Sequence, residues 1–116
     1  MRENVLREKS LRFALRIINL SKYLVEEKKE YIISKQICKS GTSVGANIAE
    51  SVYAASKADF INKLQIALKE AGETKYWLDL LQTAEYIIKE QYESIMNDCE
   101  ELLKLLTASL KTNKKN

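Results

Sequence analysis

The feature that most constrains the fold is a seam of apolar and small residues that recur at alternating steps of four and three. The seam consists of Phe60, Leu64, Ala67, Ala71, Thr74, Leu78 and Leu81. This spacing places every member on one face of an α-helix, and it is typical of helices that pack lengthwise against other helices. Ser56 and Asp59 precede the seam with the spacing of a capping box, which predicts that the helix begins at residue 57.

Turn-forming residues are too scarce for a fold built from strands. The 116 residues include no proline and only three glycines, whereas an all-β or α/β chain needs far more turns. Apolar stripes at helical spacing predict one all-α domain, an up-down-up-down antiparallel four-helix bundle with short connections. The predicted helices cover residues 4–28, 34–55, 57–84 and 90–110, within a bundle domain of residues 1–110 that is followed by a frayed, polar and basic tail, residues 111–116.

Two of the three glycines, Gly41 and Gly45, fall inside the second predicted helix. Glycine within a helix costs about 1 kcal/mol relative to alanine. The apolar, small-residue and polar stripes nevertheless stay in phase across both glycines, so we predict one continuous helix on which another backbone packs closely. A phosphate-binding Walker loop is disfavoured, because its glycine spacing, its lysine and its preceding strand are all missing.

A polar stripe on the second helix is predicted to meet a polar stripe on the third. Together with the two glycines they form a candidate structural or interface motif, made of Ser40, Gly41, Ser43, Gly45, Asn47 and Glu50 on one helix and Lys63, Glu70, Glu73 and Trp77 on the other. Antiparallel pairing brings the serines level with Glu70 and Glu73, so we predict hydrogen bonds from the hydroxyls to these carboxylates. The same register predicts an ion pair between Glu50 and Lys63.

Most residue types used in catalytic and metal sites are missing. The chain has no histidine, and Cys38 and Cys99 stand far apart, which removes zinc sites and histidine-activated nucleophiles. The spacing permits two of the three residues Glu50, Glu70 and Glu73 on one face, but no histidine or aspartate completes a metal or catalytic site, so a structural or interface role is favoured. We therefore expect no enzyme activity, no metal and no cofactor.

The start of the chain is too charged for a signal peptide, and no apolar run approaches the roughly 18 residues of a membrane helix. We therefore expect a soluble, cytoplasmic protein without membrane contact. Trp77 and its neighbour Tyr76 could stack on nucleic-acid bases, although a core or interface role is more typical of such a pair.

Charge is unevenly distributed along the chain. Residues 1–16 carry five basic and two acidic residues, residues 109–116 carry three lysines, and residues 79–101 carry seven acidic residues and one lysine. In an up-down bundle the first two segments share one end, which predicts an electrically polarised bundle whose basic end holds phosphates. The candidate nucleic-acid-binding residues are Arg2, Arg7, Lys9, Arg12, Arg16, Lys111, Lys114 and Lys115. The alternative is that these side chains only solvate the helix ends.

Two motifs resemble a known family. They are SGTSVGANIAE, beginning at Ser40, and SKADFINKLQIALKEAGETKYWLDLL, beginning at Ser56. They resemble the bacterial four-helix bundle proteins of intervening sequences in 23S ribosomal RNA genes, which are similar to accessory proteins of diversity-generating retroelements. The resemblance covers nearly the whole chain, with Lys39 where arginine is commoner, a change that keeps the charge but loses planar bidentate pairing.

This resemblance implies a homopentameric ring with a central channel, no enzyme activity and a nucleic-acid or nucleoprotein partner. Together with the charge distribution, it leads to the prediction of a non-enzymatic homo-oligomer that binds RNA or DNA. The alternative is a protein-interaction scaffold that docks a reverse transcriptase or another protein without touching nucleic acid itself.

Overall fold

The chain folds into antiparallel helices that run up, down, up and down. The computed structural model describes residues 2–115, with the side chains of residues 4–114. In this range the helices are α1 (Arg2–Glu26), α2 (Ile33–Ser51), α3 (Lys57–Thr83) and α4 (Lys89–Lys115). Each packs against its neighbours in sequence, and α4 returns to α1. The predicted four-helix bundle is confirmed, and it measures 46 × 21 × 19 Å.

The predicted seam of α3 lies at the centre of the core. Buried members of the seam are Leu64, Ala67, Ala71, Thr74, Leu78 and Leu81. The other helices contribute Leu6, Phe13, Ile17, Leu24, Ile37, Val44, Ile48, Ile95, Cys99, Leu102 and Leu106. Burial of one leucine or isoleucine side chain stabilises a fold by roughly 1.5–3 kcal/mol. Because all four helices contribute, this shared core holds the bundle together.

The glycines of α2 allow α1 to approach closely, as the stripe pattern predicted. A Cβ atom at Gly41 would lie 2.7 Å from Cγ2 of Ile17, and one at Gly45 would lie 3.4 Å from the carbonyl oxygen of Ser10. Both contacts come from the same chain. The glycine stripe is therefore a surface for packing α1 within the bundle, and α2 continues through both glycines without interruption.

The helix ends differ from the predicted ones by amounts that local contacts explain. The first helix stops at Glu26 because Lys29 has a positive φ of 55°, and the amide of Glu30 then donates to the carbonyl of Leu24 over 2.9 Å. The fourth helix continues through the predicted tail to Lys115. No glycine or proline interrupts this tail, and exposed polar residues can extend a helix that packing has already nucleated.

Candidate nucleic-acid interface

The start of α1, the connection between α2 and α3, and the last turns of α4 meet at one end of the bundle. Between them lies an open pocket of about 530 Å³. Its lining includes Asn4 and Arg7 from α1, Lys57 from the start of α3, and Ser109 from α4. We call this region the basic end and define it by Arg7, Lys57, Lys111 and Lys114.

All four cations of the basic end are exposed. None of them forms an ion pair with another described side chain. Sequence reasoning overlooked Lys57, because it counted the charge of the two chain ends and not that of the connection between α2 and α3. Of the predicted candidates, Arg2 and Lys115 have side chains outside the described ones.

Three predicted candidates do not belong to the basic end. Lys9, Arg12 and Arg16 line a groove between α1 and α4, together with Asp98 and Glu101. A helix rises 1.5 Å per residue, so the position of Arg16 lies about 20 Å from the start of α1. The candidate set from Lys9 to Arg16 therefore runs along the side of the bundle.

Two of these side chains are already paired with α4. Lys9 Nζ lies 3.3 Å from Glu101 Oε1, and Arg16 Nη1 lies 2.7 Å from Asp98 Oδ2. Arg16 also donates to the carbonyl and the hydroxyl of Ser94, at 3.2 and 2.9 Å. These bonds join α1 to α4, so they support the fold. Arg12 is exposed and forms no ion pair within the described side chains.

The opposite end is less acidic than the sequence predicted. Much of the acidic segment, including Asp98 and Glu101, lies along the middle of α4 and faces the cations of α1. Lys28 and Lys29 lie in the connection between α1 and α2, where they offset the charges of Glu27 and Glu30. The bundle therefore has an excess of basic residues at the basic end and residues of both charges elsewhere.

The connection between α2 and α3 also presents an aromatic side chain at the basic end. Tyr53 is 87% exposed, and its neighbour Val52 is 53% exposed. Val52 and Ala54, on either side of Tyr53 in sequence, line the pocket together with Phe60. The sequence pattern placed Tyr53 inside a second helix predicted to continue to residue 55, whereas α2 ends at Ser51, so its exposed position in the connection was not predicted.

The predicted polar motif between α2 and α3 is only partly present. The register is as expected, because Lys63 Nζ lies 3.1 Å from Glu50 Oε1. The prediction of hydrogen bonds from the serines to Glu70 and Glu73 is wrong. Ser40 is level with Thr74, and the Thr74 hydroxyl donates to the Ser40 hydroxyl over 2.8 Å. The face of α3 that meets α2 is its buried seam. Glu70 and Glu73 lie one position off that seam and are half-buried.

The remaining members of the polar motif bond within their own helices. Asn47 Nδ2 donates to the carbonyl of Ser43 over 2.9 Å. Glu73 Oε2 accepts from the indole of Trp77 over 3.0 Å, and Trp77 packs on the core with its ring 5.0 Å from that of Tyr76. These bonds are structural contacts within single helices.

Two observations on the described residues concern metal binding and thiol chemistry. They contain no group of three or more histidine, cysteine, aspartate or glutamate side chains placed to hold a metal ion. Burial raises the pKa of the Cys99 thiol to about 12, and a thiol with so high a pKa is a poor nucleophile at neutral pH. Within the same residues, no helix combines the length and the apolar character needed to cross a membrane.

The geometry agrees with two comparisons with known proteins. The model of the 23S rRNA-intervening sequence protein family matches residues 2–108. The chain belongs to this family. The chain is also similar to a protein of unknown function from the S23 ribosomal protein family of Bacteroides thetaiotaomicron, whose crystal structure is known. The two sequences are 62% identical, and the two structures superpose with a TM-score of 0.95. The match covers 96% of this chain and 99% of the other. No curated protein matches the chain.

This member of the 23S rRNA-intervening sequence family also leaves apolar side chains uncovered on α1. Leu11, Leu15 and Ile18 are exposed at steps of four and three, so they form one outward stripe. Leu11 also lines a groove of about 620 Å³ between α1 and α2, together with Ala46 and Ala49. An outward apolar stripe of this length is typical of a surface that contacts another protein chain.

A second apolar group lies at the end opposite the basic end. Tyr31 and Ile32 belong to the connection between α1 and α2, and Ile88 to the connection between α3 and α4. Ile32 is 76% exposed, and the other two are similarly open. Antiparallel topology puts both connections at the same end of the bundle. We call these three residues the far-end patch.

Proposed function

We propose that the protein is a non-enzymatic, homo-oligomeric nucleic-acid-binding protein that acts in the cytoplasm as a ribonucleoprotein accessory. The observation that carries this proposal is the basic end. Arg7, Lys57, Lys111 and Lys114 surround one end of the bundle without acidic partners among the described side chains. Exposed cations in this arrangement attract phosphate backbones.

The proposed oligomer is a pentameric ring, as the family resemblance implies. The outward stripe of α1 supports an assembly, because a second copy of the chain would cover Leu11, Leu15 and Ile18. Cyclic symmetry places the same end of every protomer on one rim. Four cations per protomer would then repeat around that rim, so a weak attraction at one protomer would add up over the ring.

Binding at this rim should depend steeply on salt and little on sequence. Lysine and arginine at phosphates position a nucleic acid without reading its bases. Each phosphate contact releases counterions. For each such contact, the logarithm of the binding constant falls by about 0.7 to 0.9 when the logarithm of the salt concentration rises by one unit. A steep salt dependence is thus the signature of the proposed interface.

The test is fluorescence anisotropy with labelled RNA, starting at about 50 mM salt, where phosphate contacts are strong. The test variant carries Lys111→Glu and Lys114→Glu. The control variant carries Lys35→Glu and Lys69→Glu, two exposed lysines remote from the basic end. Both variants have the same net charge, so their difference reports on position alone. We expect the test variant to bind at least about tenfold more weakly, and its salt slope to fall by about 1 for each phosphate that it no longer neutralises.

Two results would contradict the proposal. One is that the wild-type chain binds neither RNA nor DNA under these conditions. The other is that the control variant loses as much affinity as the test variant, which would mean that binding follows net charge and not the basic end.

A second candidate function, a protein-interaction scaffold, is favoured by the far-end patch. Large apolar side chains that stay exposed at a loop-rich end are typical of protein contacts. In this case RNA would associate with the chain in cells through a docked protein, such as a reverse transcriptase. Purified chain would then bind no RNA. The variant with Ile32→Asp and Ile88→Asp would lose RNA in cells, while the variant at Lys111 and Lys114 would retain it.

A further inference from the structure

Tyr53 is the most exposed of the large apolar and aromatic side chains among the described residues, and it lies at the basic end. It belongs neither to the hydrophobic core nor to the residues packed against it. The other exposed tyrosines differ from it. Tyr76 has an edge contact with Trp77, and Tyr31 lies at the opposite end. The ring of Tyr53 is therefore open to water and adds nothing to the hydrophobic core.

The pocket beside Tyr53 has walls of two chemical kinds. Its apolar residues include Leu6, Ile48, Val52, Phe60 and Leu64, and its polar residues include Ser51, Ser109 and Asn4. Arg7 and Lys57 add positive charge to the same lining. The volume of about 530 Å³ falls in the range of roughly 300–1,000 Å³ that is usual for ligand pockets. A planar, partly polar group attached to a phosphate matches these walls in both charge and polarity.

Cations and an open aromatic ring together distinguish between forms of nucleic acid. In a duplex the bases are stacked inside, and only the phosphates and the base edges in the grooves are available to a protein surface. In a single strand the bases are free to stack on aromatic side chains while lysine and arginine follow the backbone. A surface for duplexes needs only the cations, so Tyr53 and the pocket favour the single strand.

We propose that the basic end binds unpaired nucleotides, with a base stacked on Tyr53 and the phosphates on Arg7, Lys57, Lys111 and Lys114. This inference rests on the proposed function and specifies its ligand as single-stranded RNA or DNA. Stacking on a tyrosine tolerates all bases, so the site should show little sequence preference.

The experiment compares labelled uridine and thymidine runs of about 12 nucleotides, within the usual range of single-strand site sizes, with an RNA or DNA duplex of the same length. The variants are Tyr53→Ala, Tyr53→Phe and the matched control Tyr31→Ala, which removes an exposed tyrosine at the opposite end. Circular dichroism checks the fold of each variant. Tyr53 makes no core contact, so its replacement should leave the helices intact.

We expect the wild-type chain to prefer the single strand. Tyr53→Ala should weaken single-strand binding by about 5- to 150-fold, the usual effect of losing one stacked base. Duplex binding should stay nearly unchanged in the same variant. Tyr53→Phe should retain the wild-type preference because it keeps the ring, and Tyr31→Ala should behave like wild type.

Two kinds of failure are distinguishable. If strands and duplexes bind equally, or if Tyr53→Ala has no effect while Lys111→Glu with Lys114→Glu still weakens binding at least about tenfold, the stacking inference is wrong and the proposed function stands. If the wild-type chain binds no nucleic acid at all, the proposed function fails and the inference fails with it.

Discussion

Gly41 and Gly72 both lie inside helices, but their surroundings differ. A Cβ atom at Gly41 would lie 2.7 Å from Cγ2 of the fully buried Ile17, whereas one at Gly72 would have no neighbour within 4 Å. Ile17 cannot move away, because it is enclosed by the core. The close approach of α1 explains the first glycine. Nothing in the structure explains the second.

This difference predicts opposite effects for the same substitution. Gly41→Ala should destabilise the fold by about 1–2 kcal/mol, since overpacking outweighs the gain in helix propensity. Gly72→Ala should stabilise it by up to about 1 kcal/mol, because alanine is the better helix former and nothing obstructs its methyl group. Urea unfolding at one fixed protein concentration measures both. Equal shifts of the two midpoints would show that α1 does not press on Gly41.

Individual site residues were harder to predict than the stripes. The sum of charges along the chain places Lys9, Arg12 and Arg16 at the basic end, but in the structure they lie along the side of α1, next to acidic residues of α4. Lys57 and Tyr53 lie at or beside a short connection, where no periodic pattern identifies a residue. Their importance comes from the convergence of three segments, which only the folded chain shows.

At the scale of elements, α1 and α2 are joined by a turn that uses neither glycine nor proline. Lys29 has a positive φ, and the amide of Glu30 closes the end of α1. The carboxylate of Glu30 then accepts the amides of Ile32, Ile33 and Ser34, at 2.7–3.1 Å, and so caps the start of α2. In the sequence this residue belongs to a mixed-charge run that resembles a solvated turn, so its capping role was missed.

The cap has a pH dependence with a definite sign. Burial tends to raise the pKa of Glu30, but the amides of Ile33, Ser34 and Ile32 and the Ser34 hydroxyl together hold it below its ordinary value of 4.5. A carboxylate with a lowered pKa in the folded state stabilises the fold above its unfolded-state pKa. That contribution disappears as the pH falls through the folded-state pKa.

We therefore expect Glu30→Gln to cost about 1–2 kcal/mol at pH 7, in the range of a lost helix cap. The penalty should shrink as the pH falls below about 4.5, because the wild-type carboxylate is then protonated too. The exposed Glu27→Gln is the control and should change little at either pH. Urea unfolding at several pH values measures the difference, and a penalty independent of pH would contradict the charged cap.

At the scale of the whole molecule, the topology followed from the sequence. The seam of α3, the scarcity of turn residues and the helical stripes were sufficient to predict the four antiparallel helices, because a helix is visible in local sequence patterns. They were not sufficient to predict the partners of polar side chains. A shift of one position on α3 exchanges Glu73 for Thr74 as the neighbour of Ser40. Periodicity determines a helix face, but the rotation of one helix against another determines its contacts.

The outward stripe of α1 gives the last prediction, which concerns assembly. Leu11, Leu15 and Ile18 are at least 37% exposed in the isolated chain, and a charge at the centre of the stripe would have to be buried in any interface formed there. Leu15→Glu should therefore dissociate the oligomer. Light scattering should give a mass several times 13.3 kDa for the wild-type chain and a smaller mass for the variant.

Ile88→Glu is the matched control. Ile88 is as exposed as Leu15, at 60% against 59%, but it lies in the far-end patch and not in the stripe. It makes the same kind of change at the same exposure, so its mass should remain that of the wild type. A wild-type chain that scatters as a monomer at micromolar concentration would remove the ring from the proposal. If instead Leu15→Glu stayed fully assembled while Ile88→Glu dissociated, the subunits would meet through the far-end patch and not through the stripe of α1.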